Sequence, residues 1–301
     1  MTLGDFVYCY LRWLLQPIDD LFSYRRAYKN YLYVIKQKRS NKYPIKALLR
    51  NGIILTLENI SQLRIARWAS VNCYEFKDEL LVIRKKDFPE VKLYDWKENG
   101  DIRGVFFEEQ YDFLPVRDKE VIDIGSNIGD TSIYFALRGA KKVIAVEPAP
   151  KNFQSAKKNV EINSLSNKIE LIMAGCSDKK GSILVNAEKS GITYSLENDK
   201  QNEIKVPLIT LDEILKNVKS FPCILKMDCE GCEYDTILSA TNETLTYFSH
   251  IQIEYHFGYK NLKKKLQSCG FDVSVTKPQI GYRLYHDAGK SFIGYIYAKK
   301  I

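Results

Sequence analysis

The chain is short of the features that would place it outside the ordinary soluble class. It has no low-complexity run and no internal repeat, which excludes a disordered tail or a repeat array as its main character. It has no apolar run long enough to span a bilayer, which takes about 20 residues. The longest such stretch near the start, Phe6 to Leu15, is interrupted by Arg12. That stretch also lacks the marks of a secretion signal, since Asp5 rather than a basic cluster precedes it and no small-residue cleavage site follows. A cytoplasmic location is the expectation, and the seven cysteines are then read as reduced thiols rather than a disulfide framework.

What is present is an ordinary globular composition, 45% hydrophobic and 27% charged, over 301 residues. That length allows one large α/β domain with a smaller lobe in front of it. The formal charge of +8 is concentrated early: residues 1–50 hold ten Lys/Arg against Asp5, Asp19 and Asp20. Tyr8, Tyr10, Tyr24, Tyr28, Tyr31 and Tyr33 lie among those cations. Such a segment suits nucleic acid, an anionic membrane surface, an acidic partner or simply a solvated helical face.

Three regions are expected. Residues 1–50 repeat Tyr, Leu and Ile at helical spacings and read as a basic aromatic helical segment. Residues 51–115 carry short β-branched and aromatic runs, "GIILTL", "LLVIRKK", "VKLYDW" and "IRGVFFEE", the last two parted by Asn99-Gly100-Asp101. They read as a small, mostly β accessory region. From 116 to 301 strands and helices alternate, which implies a mostly parallel sheet covered on both faces. In such sheets ligands sit beyond the carboxyl ends of the strands, so the residues after "VIDI", "VIAV", "ILKM" and "IQI" are the site candidates.

The first of these is Gly125-Ser126-Asn127-Ile128-Gly129-Asp130-Thr131, a glycine turn entering a helix. The second is Glu147 at the end of the next strand, 18 residues beyond Gly129. An acid there can accept both hydroxyl hydrogens of an adenosine ribose. The turn lacks the middle glycine of a dinucleotide fingerprint, which favours S-adenosylmethionine over NAD. A carboxylate of the ligand could use the amides at the helix N-terminus, while Asp123 could face an ammonium or a bound water.

The segments "VIDIGSNIGDTSIYFALRGAKKVIAVEPAPKNFQSAKKNVEIN", "AGCSDKKGSI", "ITLDEIL", "LKMDCEGCEYDTIL" and "IQIEYH" resemble, in order and spacing, the FkbM-type family of S-adenosylmethionine-dependent methyltransferases. The resemblance covers about residues 109–275. It implies a Rossmann-like, seven-stranded α/β sheet with the last strand antiparallel, behind an N-terminal helical and β accessory region. It also implies methyl transfer to oxygen of a sugar, glycan or other small hydroxylated acceptor. Carried over by position, Asp123, Gly125 and Asn127 match the first motif, with Ser126, Gly129 and Thr131 in the same turn. Glu147 matches the ribose acid, and Ser177 and Asp178 match the segment flanking the adenine. Lys226, Asp228, Glu230, Gly231 and Glu233 match the K-x-D-x-E-G-x-E motif, and Glu254 and His256 a later E-x-H.

Methyl transfer to a hydroxyl needs an acceptor that is oriented and then loses its proton. Asp228, His256, Glu230 and Lys226 are the catalytic candidates, with Asp228 also expected beside the cofactor. Asp228, Glu230, Glu254 and His256 would converge on one sheet edge, which would suit a divalent cation. Lys226 has the alternative of an ion pair with Glu233 or Glu254. Cys229 and Cys232 have ligand-pair spacing but no second Cys or His pair nearby, and are read as packing residues. His250 and His286 stand alone.

Overall fold

The computed structural model describes residues 18, 21–69, 74–77, 80–98, 101–187, 203–281 and 291–301. Two compact units divide the chain, residues 1–108 and 109–301.

In the first unit, residues 21–27 and Tyr31–Arg39 are helical, with Tyr24, Ala27, Tyr28 and Val34 buried. Strand pairing begins at Ile45, inside the stretch read as helical. Ile45–Leu48 pairs antiparallel with Ile54–Leu57, and Ile45 and Ala47 turn inward while Lys46 turns out, a period of two that a helix cannot satisfy. Tyr74–Lys77, Leu80–Lys85 and Phe88–Leu93 form a second antiparallel sheet. Two helices, Ile60–Ala69 and Ile102–Phe106, accompany the strands. The second of these replaces a strand expected from "IRGVFFEE": Ile102, Val105 and Phe106 are all buried, at the i, i+3, i+4 spacing that one helix face provides.

The second unit is built on one sheet. Its strands in chain order are β1 (Glu120–Ile124), β2 (Lys142–Val146), β3 (Ile169–Ile172), β4 (Cys223–Met227), β5 (Phe248–Tyr255), β6 (Phe271–Val275) and β7 (Ser291–Lys300). In space they run β6-β7-β5-β4-β1-β2-β3. All neighbours from β5 to β3 are parallel, and β7 is antiparallel to both β5 and β6. Every residue of β1 and β4 is buried, as strands at the centre of a parallel sheet must be. Short apolar runs such as "CILKM" therefore form strands without alternation.

Four helices matter for the site: α1 (Asp130–Leu137), α2 (Pro150–Ile162), α3 (Cys232–Ser239) and α4 (Lys260–Ser268). A smaller sheet orders Gly181–Asn186, Glu203–Ile209 and Gly175–Cys176 side by side. Gln279–Gly281 adds to the edge of β7. Residues 188–202 and 282–290, with His286 among them, lie outside the described residues.

Candidate functional site

The parallel register places Lys226 of β4 beside Asp123 of β1, and Met227 beside Ile124. The two strands therefore end together, and the loops that follow meet. A Cβ on Gly125 would lie 1.7 Å from the Asp228 carbonyl oxygen, and Gly125 also has φ of +76°, a region costly for other residues. The backbone that approaches this glycine is thus the chain's own. The Asp228 amide donates to the Ile124 carbonyl at 3.0 Å, which locks the contact.

Beneath that crossing lies a buried ionic knot. Asp123 is fully buried, and its Oδ2 accepts the hydroxyls of Thr131 and Ser132, each at 2.6 Å. Its Oδ1 stands 3.0 Å from Lys226 Nζ in an ion pair buried on both sides. Lys226 Nζ also donates to the Gly125 carbonyl at 2.8 Å. Burial works against the charge on Lys226, but the attraction of Asp123 and Asp228 prevails and holds it protonated well above the ordinary lysine range. Lys226 therefore pairs with Asp123, not with Glu233 or Glu254. The reason is register: adjacent parallel strands bring 123 and 226 level.

Glu147, at the end of the β2 path, is 1% exposed. Its Oε2 accepts the Asn127 amide and its Oε1 the Ala149 amide, each at 2.9 Å. Burial pushes its pKa up to about 7, against those amide hydrogen bonds. The same carboxylate thus ties the glycine turn to the start of α2. Asn127 has positive φ, and Gly129 caps α1 in the left-handed conformation. Ser126 is fully buried, and its Oγ has no protein partner. Ser177 follows the strand Gly175–Cys176, and its hydroxyl donates to Asp178 Oδ1 at 3.0 Å.

The third component is the loop from β4 into α3. Glu233 is fully buried in the first turn of α3. Its Oε1 accepts the Cys229 amide and its Oε2 the Gly231 amide, both at 2.8 Å. One carboxylate thereby holds the loop shut from within. Glu230 and Gly231 both have positive φ, so the chain doubles back and Cys229 meets Cys232 in a disulfide. Reading these cysteines as reduced packing residues is corrected by that bond; the spacing brings them together because two left-handed residues fill the gap. Cys176, Cys223 and Cys269 are free and buried.

His256 lies against this loop, 2% exposed. Its Nδ1 is 3.2 Å from Glu233 Oε1. Its Nε2 is 3.8 Å from Asp228 Oδ1 and 3.5 Å from Glu230 Oε2. Burial alone would lower the imidazole pKa, yet Glu233, Asp228 and Glu230 together raise it to about 9. The ring is therefore an imidazolium at neutral pH.

Ligand-capable atoms of Asp228, Glu233 and His256 lie within 4.8 Å of one another. Glu254 is not among them, against the expected convergence. Its Oε2 accepts the Tyr295 hydroxyl at 3.0 Å, opposite it in the β5–β7 register. Strand β5 ends at Tyr255, so the alternation that would have aligned 254 with 256 stops between them. Glu233 takes the expected place of Glu254. Glu233 already accepts two loop amides, so this donor set fits a divalent metal poorly.

The match of the methyltransferase FkbM domain to residues 123–273 spans the glycine turn, Glu147, the disulfide loop and His256. The chain belongs to the FkbM methyltransferase family. With the family comes its methyl donor, S-adenosylmethionine. This FkbM-domain chain is 24% identical over 204 residues to "Methyltransferase 1" of Beauveria bassiana, covering 58% of this chain and 82% of that one. It is 43% identical over 54 residues to uncharacterized protein 158B of Sulfolobus islandicus rod-shaped virus 1, covering 18% and 34% respectively. Among solved structures it is similar to an FkbM methyltransferase from Methylobacillus flagellatus, with a TM-score of 0.44, 15% identity and coverage of 65% of this chain. The alignment spans 47% of that protein's length. M. jannaschii TYW2, solved with AdoMet, gives a TM-score of 0.39 at 16% identity, covering 75% and 89%.

The residues of the FkbM-domain chain fit the methyl donor. The glycine turn that Glu147 ties down through the Asn127 amide also carries a buried, unpartnered Ser126 hydroxyl, and the two are acceptor and donor groups of the kind a polar adenosine compound needs. Among the described residues no helix is long and apolar enough to cross a membrane.

Proposed function

We propose that the chain transfers a methyl group to the oxygen of a hydroxylated small-molecule acceptor, with a sugar or glycan as the class its family resemblance implies. The observation that carries this reading is Asp228: its backbone, at the end of a central strand, packs against the glycine turn, and its carboxylate faces a protonated histidine. S-adenosylmethionine, when bound, supplies an electrophilic methyl group on a sulfonium. The turn of Gly125, Ser126, Asn127, Gly129 and Thr131, with Glu147, Ser177 and Asp178, would hold it. Asp123 acts one layer below, because its oxygens are already engaged by Thr131, Ser132 and Lys226.

Asp228 orients the acceptor hydroxyl and takes its proton as the oxygen is methylated. His256, already protonated, cannot take that proton at neutral pH. It holds the Asp228 and Glu230 carboxylates in place and offsets their charge. Lys226 and Glu233 are positioning residues, one fixing the Gly125 carbonyl and the other the loop amides.

The Glu147 assignment is tested by its ionisation. A ribose hydroxyl donates to a carboxylate more strongly than to the neutral acid, and Glu147 changes form near pH 7. Calorimetric affinity for S-adenosylmethionine is therefore expected to fall as pH drops below about 7 and to level off once Glu147 is neutral in both the free and the bound protein. Glu147→Gln should bind more weakly and show no such pH dependence; an identical pH profile in the variant would remove Glu147 from the cofactor site.

Catalysis is expected to need no divalent cation, because Glu233 of the acidic cluster is already committed to two loop amides. Turnover after EDTA treatment should equal that of untreated enzyme. A loss restored by magnesium or manganese would put a metal at Asp228 and Glu230.

The disulfide closes a short loop, and cross-linking it stabilises the fold by roughly 2 kcal/mol in the chain-entropy account. Cys232→Ser should lower the melting temperature by about 5 °C, and dithiothreitol should do the same to the wild type but not to the variant. Equal melting of oxidised and reduced wild type would show that the bond adds nothing to stability.

A further inference from the structure

The first unit carries a surface that the methyltransferase reading leaves unused. Residues 21–57 contain nine Lys/Arg and not one Asp or Glu, more positive charge than the +8 of the whole chain. The two helical stretches of residues 21–27 and Tyr31–Arg39 bear much of it, and each has an inner and an outer face. On the first, Tyr24, Ala27 and Tyr28 are buried, while Leu21, Phe22, Arg25, Arg26 and Lys29 are exposed. On the second, Val34 is buried, while Leu32, Tyr33, Lys36 and Arg39 are exposed. The outer faces are not merely charged: Phe22 is 60% exposed and Leu32 65%.

Large apolar side chains interleaved with cations, and no anions, fit one kind of surface. We propose that residues 21–39 dock on an anionic lipid bilayer, lying in its interface with Leu21, Phe22 and Leu32 entering the headgroup boundary and the arginines and lysines meeting lipid phosphates. The charge complements an acidic leaflet, and the exposed aliphatic side chains gain only where there is hydrocarbon to enter. Nucleic acid fits less well. Its phosphates would use the cations but offer nothing to Leu21 and Leu32, and base stacking needs several accessible rings. Of the six tyrosines that a stacking surface would use, Tyr24 and Tyr28 are buried in the unit's own core, Tyr8 and Tyr10 lie outside the described residues, and Tyr31 is half-buried, which leaves Tyr33 as the one exposed tyrosine ring among those described.

The test is cosedimentation of the full chain with vesicles of equimolar phosphatidylcholine and phosphatidylserine, against vesicles of phosphatidylcholine alone. The wild type should pellet with the anionic vesicles and be released by salt. Phe22→Ser with Leu32→Ser should weaken partitioning about tenfold or more. Arg25→Ser with Arg26→Ser should weaken it about fivefold per cation removed. All four positions are exposed, so both variants should melt as the wild type does, and if one does not, the other carries the test. Three results would overturn the proposal: no partitioning onto anionic vesicles; partitioning that both variants retain; or, with vesicles unbound, either a salt-sensitive RNA gel shift or a concentration-dependent dimer that Phe22→Ser with Leu32→Ser abolishes.

Discussion

Gly125→Ala is expected to lower the melting temperature by about 10 °C and to abolish measurable binding of S-adenosylmethionine. Two costs combine. The added methyl group would stand 1.7 Å from the Asp228 carbonyl oxygen, a backbone atom that cannot rotate away. It would also sit on a residue at φ of +76°. Overpacking of this kind costs about 1–3 kcal/mol and the left-handed backbone about 1 more. Relief requires the two loops to part, and parting them breaks the Asp228 amide bond to Ile124 and displaces the Gly125 carbonyl that Lys226 holds. Differential scanning calorimetry and titration of the cofactor would check both effects. A variant that melted and bound as the wild type does would mean that the loops are not packed as described.

Asp228→Asn is expected to lower kcat by about a hundredfold to ten-thousandfold, the usual range for loss of a general base. Affinity for the methyl donor should stay within about threefold, as expected for an interaction made only in the transition state. The substitution preserves shape and removes only the proton acceptor. His256 adds a second readout. Its pKa is raised to about 9, so the imidazolium that steadies Asp228 is present below that pH and lost above it. Turnover by the wild type should therefore decline as pH rises through about 9. His256→Gln should be slower at every pH and lack that alkaline decline. A rise in turnover through the same range would instead make neutral His256 the base.

Much of this arrangement was legible in the order of residues. Short buried runs ending in Asp, Glu or Gly-rich turns located the strand ends, and the motif from Lys226 to Glu233 located the loop where Asp228 lies. What sequence could not convey was lateral placement. That Lys226 neutralises Asp123 depends on β1 and β4 being adjacent and level, a property of strands about a hundred positions apart. Glu254 looked equivalent to His256 because strand alternation was carried one residue past the true end of β5. Glu233 was matched to a motif, but its work as acceptor for two loop amides was not foreseen; its signal was an acid in the first turn of a helix that follows a glycine. The disulfide has a signal in the spacing of Cys229 and Cys232, but without a second Cys or His pair that spacing also suits packing residues, and the sequence does not show the positive φ of Glu230 and Gly231 that brings the two together. In the first unit, "IRGVFFEE" misled because β-branched and aromatic residues also suit a short buried helix.

The central claim is that Asp228 receives the proton of a hydroxyl whose oxygen becomes methylated. It is tested most directly by incubating the enzyme with S-adenosylmethionine bearing a deuterated methyl group and a panel of sugars and glycans, then locating the label by mass spectrometry. The wild type should place the label on oxygen as a methyl ether, and Asp228→Asn should leave the same acceptor unlabelled. Label found on nitrogen or carbon, or transferred at an undiminished rate by Asp228→Asn, would contradict it.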